Sequence, residues 1–438
     1  MRLNYKADFV RVGNVEINAL SRVTELDSGL VIGPNNHTRR QDGSLDISFS
    51  HSSLQAIENQ LAVIVPCMNE EHSILKGVLQ GIPHHCLTVL VSNSSSRNYE
   101  VERTMLTDLC IQTQRQGIAI HQQDPFLASA FIAAGMPQIV EDEANSAKRI
   151  RNGKGEAMLI GVALAKIAEK QFVGFIDADN FVPGAVNEYC NVFAAGLHHA
   201  LHGSGCDSTH TDNEPLAMVR IKWKSKPKIV DGKLVPKETG RCSKVVNEWM
   251  NRLLTSITSE ETEGELIQTA NAGEHAMSVD LALRLNFATG YAVEPFQLVN
   301  MWEKSGVFLP TPSDKPPRLD VSRSSQTLSF PLSLDRKVKV LQIETLNPHI
   351  HDFGKGDDHI SKMQAQGLSA IYHSLLTPNS LKVNLHKSVR SAPSSLVGQN
   401  DRMDRVTKYP SMGSMDLGVM EEMLKKAGTL VVVKGIRL

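Results

Sequence analysis

The sequence predicts an α/β fold built on a mostly parallel, Rossmann-like sheet, and three short stretches carry that prediction. Residues 61–65 (Leu61-Ala62-Val63-Ile64-Val65), 87–91 (Leu87-Thr88-Val89-Leu90-Val91) and 173–176 (Val173-Gly174-Phe175-Ile176) contain no charge, as expected of strands covered on both faces. Between the first two lies an apolar stripe at helical spacing, Ile74, Leu75, Val78 and Leu79. Strand, helix and strand at this distance make a βαβ unit. The third run ends in two carboxylates one residue apart, Asp177 and Asp179. In open α/β sheets ligands bind just beyond the carboxyl ends of the strands, where these side chains emerge.

The remaining elements follow from pattern. Residues 1–60 are mixed, with a short strand expected within 10–19 and loop over 29–50, which is rich in Asn, Asp, Gly and Ser. Pro66 closes the first strand. Asn69 is read as a helix N-cap, with Glu70 and Glu71 at the positive end of the helix and Gly81 and Pro83 ending it. A polar loop, Ser92-Asn93-Ser94-Ser95-Ser96, follows the second strand, and helix fills much of 100–146. The basic loop Arg149-Ile150-Arg151-Asn152-Gly153-Lys154-Gly155-Glu156 then opens a helix bearing Ala157, Ile160, Leu164 and Ile167. A further helix starts at Pro183. Residues 218–223 alternate apolar and basic, as a half-exposed strand does, and Asp231-Gly232 marks a hairpin. Gly240-Arg241-Cys242-Ser243 precedes an amphipathic helix with Val246, Trp249, Met250, Leu253 and Ile257. Residues 304–338, rich in Pro and Ser, read as an insertion. A strand at 338–343, a helix at 361–376, a linker at 387–412, and a helix with a terminal strand over 415–433 complete the chain.

Composition excludes several classes. With 46 basic and 47 acidic residues the formal charge of the 438-residue chain is -1, so no global field favours nucleic acid. No apolar run approaches the roughly 18 residues that would span a bilayer. The N-terminus lacks the apolar core of a signal peptide. Cys67, Cys86, Cys110, Cys190, Cys206 and Cys242 are scattered without a Cys-x-x-Cys pair, which fits reduced thiols and a cytoplasmic protein.

The chemistry-bearing residues fall on one side of such a sheet. Two carboxylates at a strand end suit a hard divalent cation that also holds a diphosphate, although Asp and Asn before Pro183 also read as a helix cap. Asn69, Glu70 and Asn93 can hydrogen-bond a base and ribose. Lys154, beside N–H groups that Gly153 and Gly155 leave approachable, can meet phosphate. Together they describe a nucleotide-sugar site.

Those motifs in that order resemble the A-type glycosyltransferase fold. Val65-Pro66-Cys67-Met68-Asn69-Glu70-Glu71, Gly153-Lys154-Gly155-Glu156-Ala157-Met158, Ile176-Asp177-Ala178-Asp179-Asn180, Asn271-Ala272-Gly273-Glu274-His275-Ala276-Met277-Ser278 and Gln342-Ile343-Glu344-Thr345-Leu346-Asn347-Pro348-His349 resemble the mannosyl-3-phosphoglycerate synthase family. The resemblance implies transfer of mannose from GDP-mannose to 3-phosphoglycerate, with retention at the anomeric carbon and a divalent cation: Mg²⁺, Mn²⁺ or Co²⁺. It makes Pro66, Asn69, Glu70, Ser92, Asn93, Lys154, Gly155 and Asp177 donor contacts, and Asp177 and Asp179 the catalytic pair. Asp179 becomes a metal ligand with a histidine from the C-terminal part, His349 or the nearby His351; His275 is a weaker rival. Glu274, with Gly273, suits sugar hydroxyls. The acceptor carries a phosphate and a carboxylate, and Gly240, Arg241, Cys242 and Ser243 at a helix start suit it, with Lys222 and Lys224 secondary.

On this reading residues 1–60 form an N-terminal segment, 61–200 the nucleotide-sugar half, 201–384 the acceptor half and 385–438 an extension. A homodimer is expected, and neither nucleic acid nor membrane is a partner. Glucosyl-3-phosphoglycerate synthase and a non-catalytic nucleotide-sugar-binding protein stay open as alternatives, because mannose and glucose differ at one hydroxyl configuration.

Overall fold

The structure is a computed structural model describing residues 1–26, 37–39, 41–141, 148–203, 215–230, 233–236, 240–258, 265–305, 334, 336–350, 357–390 and 403–434. Its centre is one mixed sheet of 14 strands. Seven of them carry the site: β1 (Leu61–Cys67), β2 (Leu87–Ser92), β3 (Gly117–His121), β4 (Phe172–Phe175), β5 (Leu216–Lys222), β6 (His275–Ser278) and β7 (Val338–Glu344). Their order is β3-β2-β1-β4-β6-β5-β7. The first four are mutually parallel, β6 enters antiparallel between β4 and β5, and β5 is parallel to β7.

Alternate residues of the charge-free strands feed two separate cores, which is why those strands carry no charge. Ala62 and Ile64 face one core with Met158, Leu159 and Val162 of α3 (Lys154–Ile167). Leu61, Val63 and Val65 face the other, with Leu75 and Val78 of α1 (His72–Gly81) and Val186 and Phe193 of α4 (Pro183–His202). The remaining helices that matter to the site are α2 (Ser96–Thr113), α5 (Arg241–Ile257) and α6 (Val293–Lys304).

Several expectations are corrected. The stretch read as helix over 100–146 contains β3, a five-residue strand whose Gly117 and His121 ends blur its apolar pattern. The segment read as loop over 29–50 includes the strand Leu45–Ser48, which pairs with Arg2–Tyr5. The span read as linker from 387 begins inside the helix Asn379–Arg390, and its Lys408–Tyr409 pairs with Phe287–Ala288. Asn69 is not a cap: α1 starts at His72 with Glu71 as its N-cap, and Asn69 sits in the left-handed region at φ 56°. The hairpin is present as Lys228–Val230 with Lys233–Val235. Most of the insertion expected at 304–338 lies outside the described residues. The sheet also crosses each expected domain boundary: Arg2–Tyr5 and Ser21–Glu25 extend it beyond β7, and Val431–Val433 adds a strand beside β3.

Candidate functional site

The carboxyl ends of β1, β2, β4, β5 and β7 open on one rim, and the antiparallel β6 brings its beginning, Gly273-Glu274, to the same place. Asn69 ties two of the rim loops together. Its backbone N–H donates to Ser94 Oγ at 2.7 Å, and its Oδ1 accepts from the Ser95 N–H and from Asn98 Nδ2, both at 3.0 Å. The Asn93 amide reaches Asn152 Oδ1 at 3.1 Å, and Gln123 Nε2 donates to that same oxygen at 2.8 Å. These bonds fix the loop that leads into Lys154. Pro66 lies in register with Val91 of β2, and Glu70 is partly exposed in the loop after β1.

Two of the expected donor contacts prove to be internal. Ser92 is fully buried and its hydroxyl donates to Glu102 Oε2 at 2.6 Å, while Ser94 donates to Oε1 of the same carboxylate at 2.6 Å. Ser92 therefore shapes the loop from beneath. Gly155 is buried in the first turn of α3, against the Ala288 carbonyl. The Glu156 carboxylate beside it accepts from Thr289, Tyr409 and the Gly290 N–H, which makes it a strut between α3 and the loop before α6.

Lys154 lies at the centre of the charges. Its Nζ stands 2.5 Å from Asp177 Oδ1 and 2.7 Å from Glu294 Oε1, the latter from the first turn of α6. Burial works against its charge, but these two carboxylates overcome that cost and hold the ammonium protonated well above the usual lysine range. Gly273 passes so near that an added Cβ would stand 2.6 Å from Asp177 Oδ2 and 2.9 Å from Lys154 Nζ. No larger residue fits there without moving the pair.

The second half of the site surrounds His349, which is 2% exposed. Its Nδ1 lies 3.2 Å from the Tyr189 hydroxyl, 3.3 Å from Asn180 Nδ2 and 3.9 Å from Glu274 Oε1. A backbone bond of 2.8 Å from Phe181 N–H to the Ile350 carbonyl zips the Asp179 loop to the His349 loop. Trp223 stacks on the His349 ring, with centroids 4.3 Å apart and planes 15° from parallel. The indole N–H donates to Glu274 Oε2 at 3.0 Å. Glu274 is fully buried and its Oε1 carries no hydrogen bond. Burial and the Asp177 charge push its carboxyl up to about 8, against the pull of Lys154 and Lys226. Lys226, whose Nζ is 4.2 Å above the Trp223 ring, is pushed down by burial while Glu274, Asp177 and Asp179 oppose that shift.

These groups fit a divalent cation of the kind expected. With Nδ1 turned toward Tyr189, Nε2 would coordinate in the tautomer whose Nδ1–H donates to the Tyr189 hydroxyl, and Asp179 arrives on the segment zipped to it. Among the described residues no group of three or more His, Cys, Asp and Glu side chains forms a ready-made cage. Two protein ligands completed by phosphate oxygens and water are the coordination a hard cation takes in such sites. His275, the weaker rival, is fully buried in β6, with its ring packed 4.9 Å from that of Phe175 and its Nδ1 3.0 Å from the Ala272 carbonyl. His351 and the side chain of Arg241 lie outside the described residues.

Beside Trp223 a pocket of about 230 Å³ is lined by Lys222, Gly240, Ser243, Lys244 and Asn271. Gly240 caps the start of α5. Lys222 is paired with Glu344 at 2.9 Å, and Lys224 is exposed. Cys242 is buried beneath, accepting from Asn271 Nδ2 at 3.6 Å, with its thiol pushed up to about 12 by burial and Glu294. It therefore supports the pocket as a neutral thiol.

Sequence pattern missed Trp223, Lys226, Tyr189 and Glu294. The first two had a signal, an aromatic residue among Lys222, Lys224 and Lys226 just past a strand end. Glu294 and Tyr189 look like ordinary helix residues until the chain folds.

Comparison with known proteins now bears on this geometry. The model of the mannosyl-3-phosphoglycerate synthase family matches residues 5–424. The chain belongs to that family. A mannosyl-3-phosphoglycerate synthase of Pyrococcus furiosus is 38% identical over 326 residues, 74% of each chain. That of Aeropyrum pernix is 31% identical over 397 residues, 89% of this chain and 90% of its own. Among solved structures, glucosyl-3-phosphoglycerate synthase from Mycobacterium tuberculosis bound to Mn²⁺, uridine diphosphate and glucosyl-3-phosphoglycerate aligns at 17% identity with a TM-score of 0.46, covering 76% of this chain and 86% of that one. Among the described residues of this family member, no helix is long and apolar enough to cross a membrane.

Proposed function

We propose that the protein transfers mannose from GDP-mannose to 3-phosphoglycerate with retention at the anomeric carbon, yielding mannosyl-3-phosphoglycerate and GDP for mannosylglycerate synthesis. Membership of the family across residues 5–424 carries this reading. The rim supports it: asparagines on the nucleotide side, Lys154 beside the acidic strand end, and a polar pocket beyond Glu274.

Transfer breaks the bond between the anomeric carbon and the diphosphate and forms one to the acceptor hydroxyl oxygen, whose proton passes to the departing diphosphate. Asn69, Asn93 and Glu70 bind the nucleoside, and Lys154 faces the phosphates. Asp179 and His349 would hold Mg²⁺, Mn²⁺ or Co²⁺, which when bound neutralises charge developing on the leaving diphosphate. Glu274 orients mannose hydroxyls, with Gly273 leaving room for the Asp177–Lys154 pair beside it. The acceptor phosphate and carboxylate lie in the pocket at the start of α5, which Gly240 and Ser243 line, and Arg241 is the arginine the sequence offers for them. A cytoplasmic location accords with the five described cysteines being unbridged and buried, and light scattering tests the homodimer.

The deciding experiment incubates the protein with Mg²⁺, 3-phosphoglycerate and either GDP-mannose or a glucosyl donor, following product by NMR. The expected product is an α-linked mannoside from GDP-mannose. A glucoside made faster would move the protein to the glucosyl reading, and no product from either donor would remove both. Asp179→Ala should cut turnover by about three orders of magnitude, the scale of several kcal/mol of lost charge stabilisation.

A further inference from the structure

We infer that Trp223 is a positioning residue that holds the metal-side histidine and the sugar-side carboxylate in one rigid assembly. The inference rests on the proposed function for the roles of His349 and Glu274, but its geometry stands independently. Trp223 is the first residue past β5, and it makes two unlike contacts at once. Its face lies almost parallel to the His349 ring at 4.3 Å, and its edge donates to Glu274 Oε2 at 3.0 Å. The backbone on either side is fastened to the His349 segment, Thr345 N–H to the Lys222 carbonyl at 3.0 Å and His349 N–H to the Ser225 carbonyl at 2.9 Å. The indole is therefore not free to swing.

Each contact has a distinct consequence. A stacked plane removes rotation of the imidazole about its Cβ–Cγ bond, and Tyr189 and Asn180 fix which nitrogen faces inward. The direction of Nε2 is then set before any cation arrives, and partners that orient a ligating histidine are commonly worth 10- to 100-fold in metal affinity. The N–H bond acts on the other group. It satisfies one oxygen of a buried carboxylate and leaves the other, Oε1, 3.9 Å from His349 Nδ1, so the sugar-side carboxylate and the metal-side histidine face each other. Trp223 also lines the 230 Å³ pocket, so the wall that a bound acceptor touches is the support of both groups.

Phe and Leu substitutions separate the two functions, since Trp223→Phe keeps a stacking face without the N–H and Trp223→Leu loses both. Mn²⁺ titrations of wild type and both variants, read by electron paramagnetic resonance in the presence of GDP, report on the histidine without any turnover. Wild-type-like affinity in Trp223→Phe with about tenfold weaker Mn²⁺ binding in Trp223→Leu supports the stacking role. Mn²⁺ bound equally well by Trp223→Leu, or equally weakly by both variants, overturns it. For the second contact, Trp223→Phe should lower kcat by about tenfold with the KM for 3-phosphoglycerate changed less than about threefold, the scale of one lost hydrogen bond; an unchanged kcat overturns that half. Circular dichroism and melting of Trp223→Phe guard against misfolding as the cause. If the wild-type protein transfers no sugar at all, the proposed function fails, while the Mn²⁺ titration still decides the stacking role.

Discussion

Lys154 shows how much one residue's surroundings decide. Its side chain is 12% exposed and sits between Asp177 and the 2%-exposed Glu294. Removing the cation from a buried pair leaves charge uncompensated, which commonly costs about 3–5 kcal/mol. Lys154→Met should therefore destabilise the protein by about 3 kcal/mol in urea denaturation, and Lys154→Met with Glu294→Gln should recover a substantial part; additive losses would show that Glu294 is not its partner. Lys304, at the end of α6, makes a second prediction, for pH. Burial pushes its ammonium down to about 8, against about 10.4 in an unfolded chain. Between those values the unfolded state binds the extra proton, so stability rises with pH across that window and the penalty is fully present below it. Thermal melts of wild type and Lys304→Met from pH 7.5 to 10.5 should show the wild type gaining stability relative to the variant as pH rises; a constant difference would refute the shift.

At the scale of elements, the packing of α3 on β1 sets where Lys154 begins. Gly161 lies so close to the sheet that a Cβ added there would meet Ile64 Cγ2 at 2.4 Å, Cγ1 at 2.8 Å and Cδ1 at 2.9 Å. Ile64 is fully buried and has nowhere to retreat. Gly161→Ala should cost about 1–3 kcal/mol by overpacking, measurable as a lower urea midpoint at unchanged slope, and an equally stable variant would mean that α3 shifts freely. This contact also marks what the sequence could and could not announce. Strands covered on both faces are legible as charge-free runs, so β1, β2 and β4, with Asp177 and Asp179 at the last one's end, could be read directly. The same local rule is silent about β6, whose His275 and Met277 look unremarkable and whose direction depends on pairing with Phe175 and Arg220 far away in sequence. Asn69 stands on the rim, as its place after β1 implies, but as a left-handed loop residue and not a helix cap, two roles that use the same side chain. Glu294 and Tyr189 join the site through tertiary contacts, which no spacing rule encodes.

Across the whole molecule, one sheet runs from Val431–Val433 beside β3 to the N-terminal strands beyond β7. Its outer strand is fastened by Thr429, whose backbone N–H and hydroxyl both donate to Asp124 Oδ2, at 3.0 and 2.7 Å. Segments expected to divide by function therefore share a hydrogen-bonded framework, and the described chain should unfold as a unit. Far-UV circular dichroism and the fluorescence of Trp223, Trp249 and Trp302 should report coincident thermal transitions; an early step seen by one probe alone would restore separate domains. The course of the chain around β6 has a further consequence, for descent. From Trp223 to Glu274 the polypeptide leaves the rim at the end of β5 and returns to it at the start of β6. That excursion carries Lys226, Gly240, Ser243, Asn271 and Gly273, while Asn69, Asn93, Lys154 and Asp179 belong to earlier stretches. Under the proposed assignment, a lineage could exchange the acceptor it uses by rewriting that single contiguous passage and inherit its nucleotide handling unaltered.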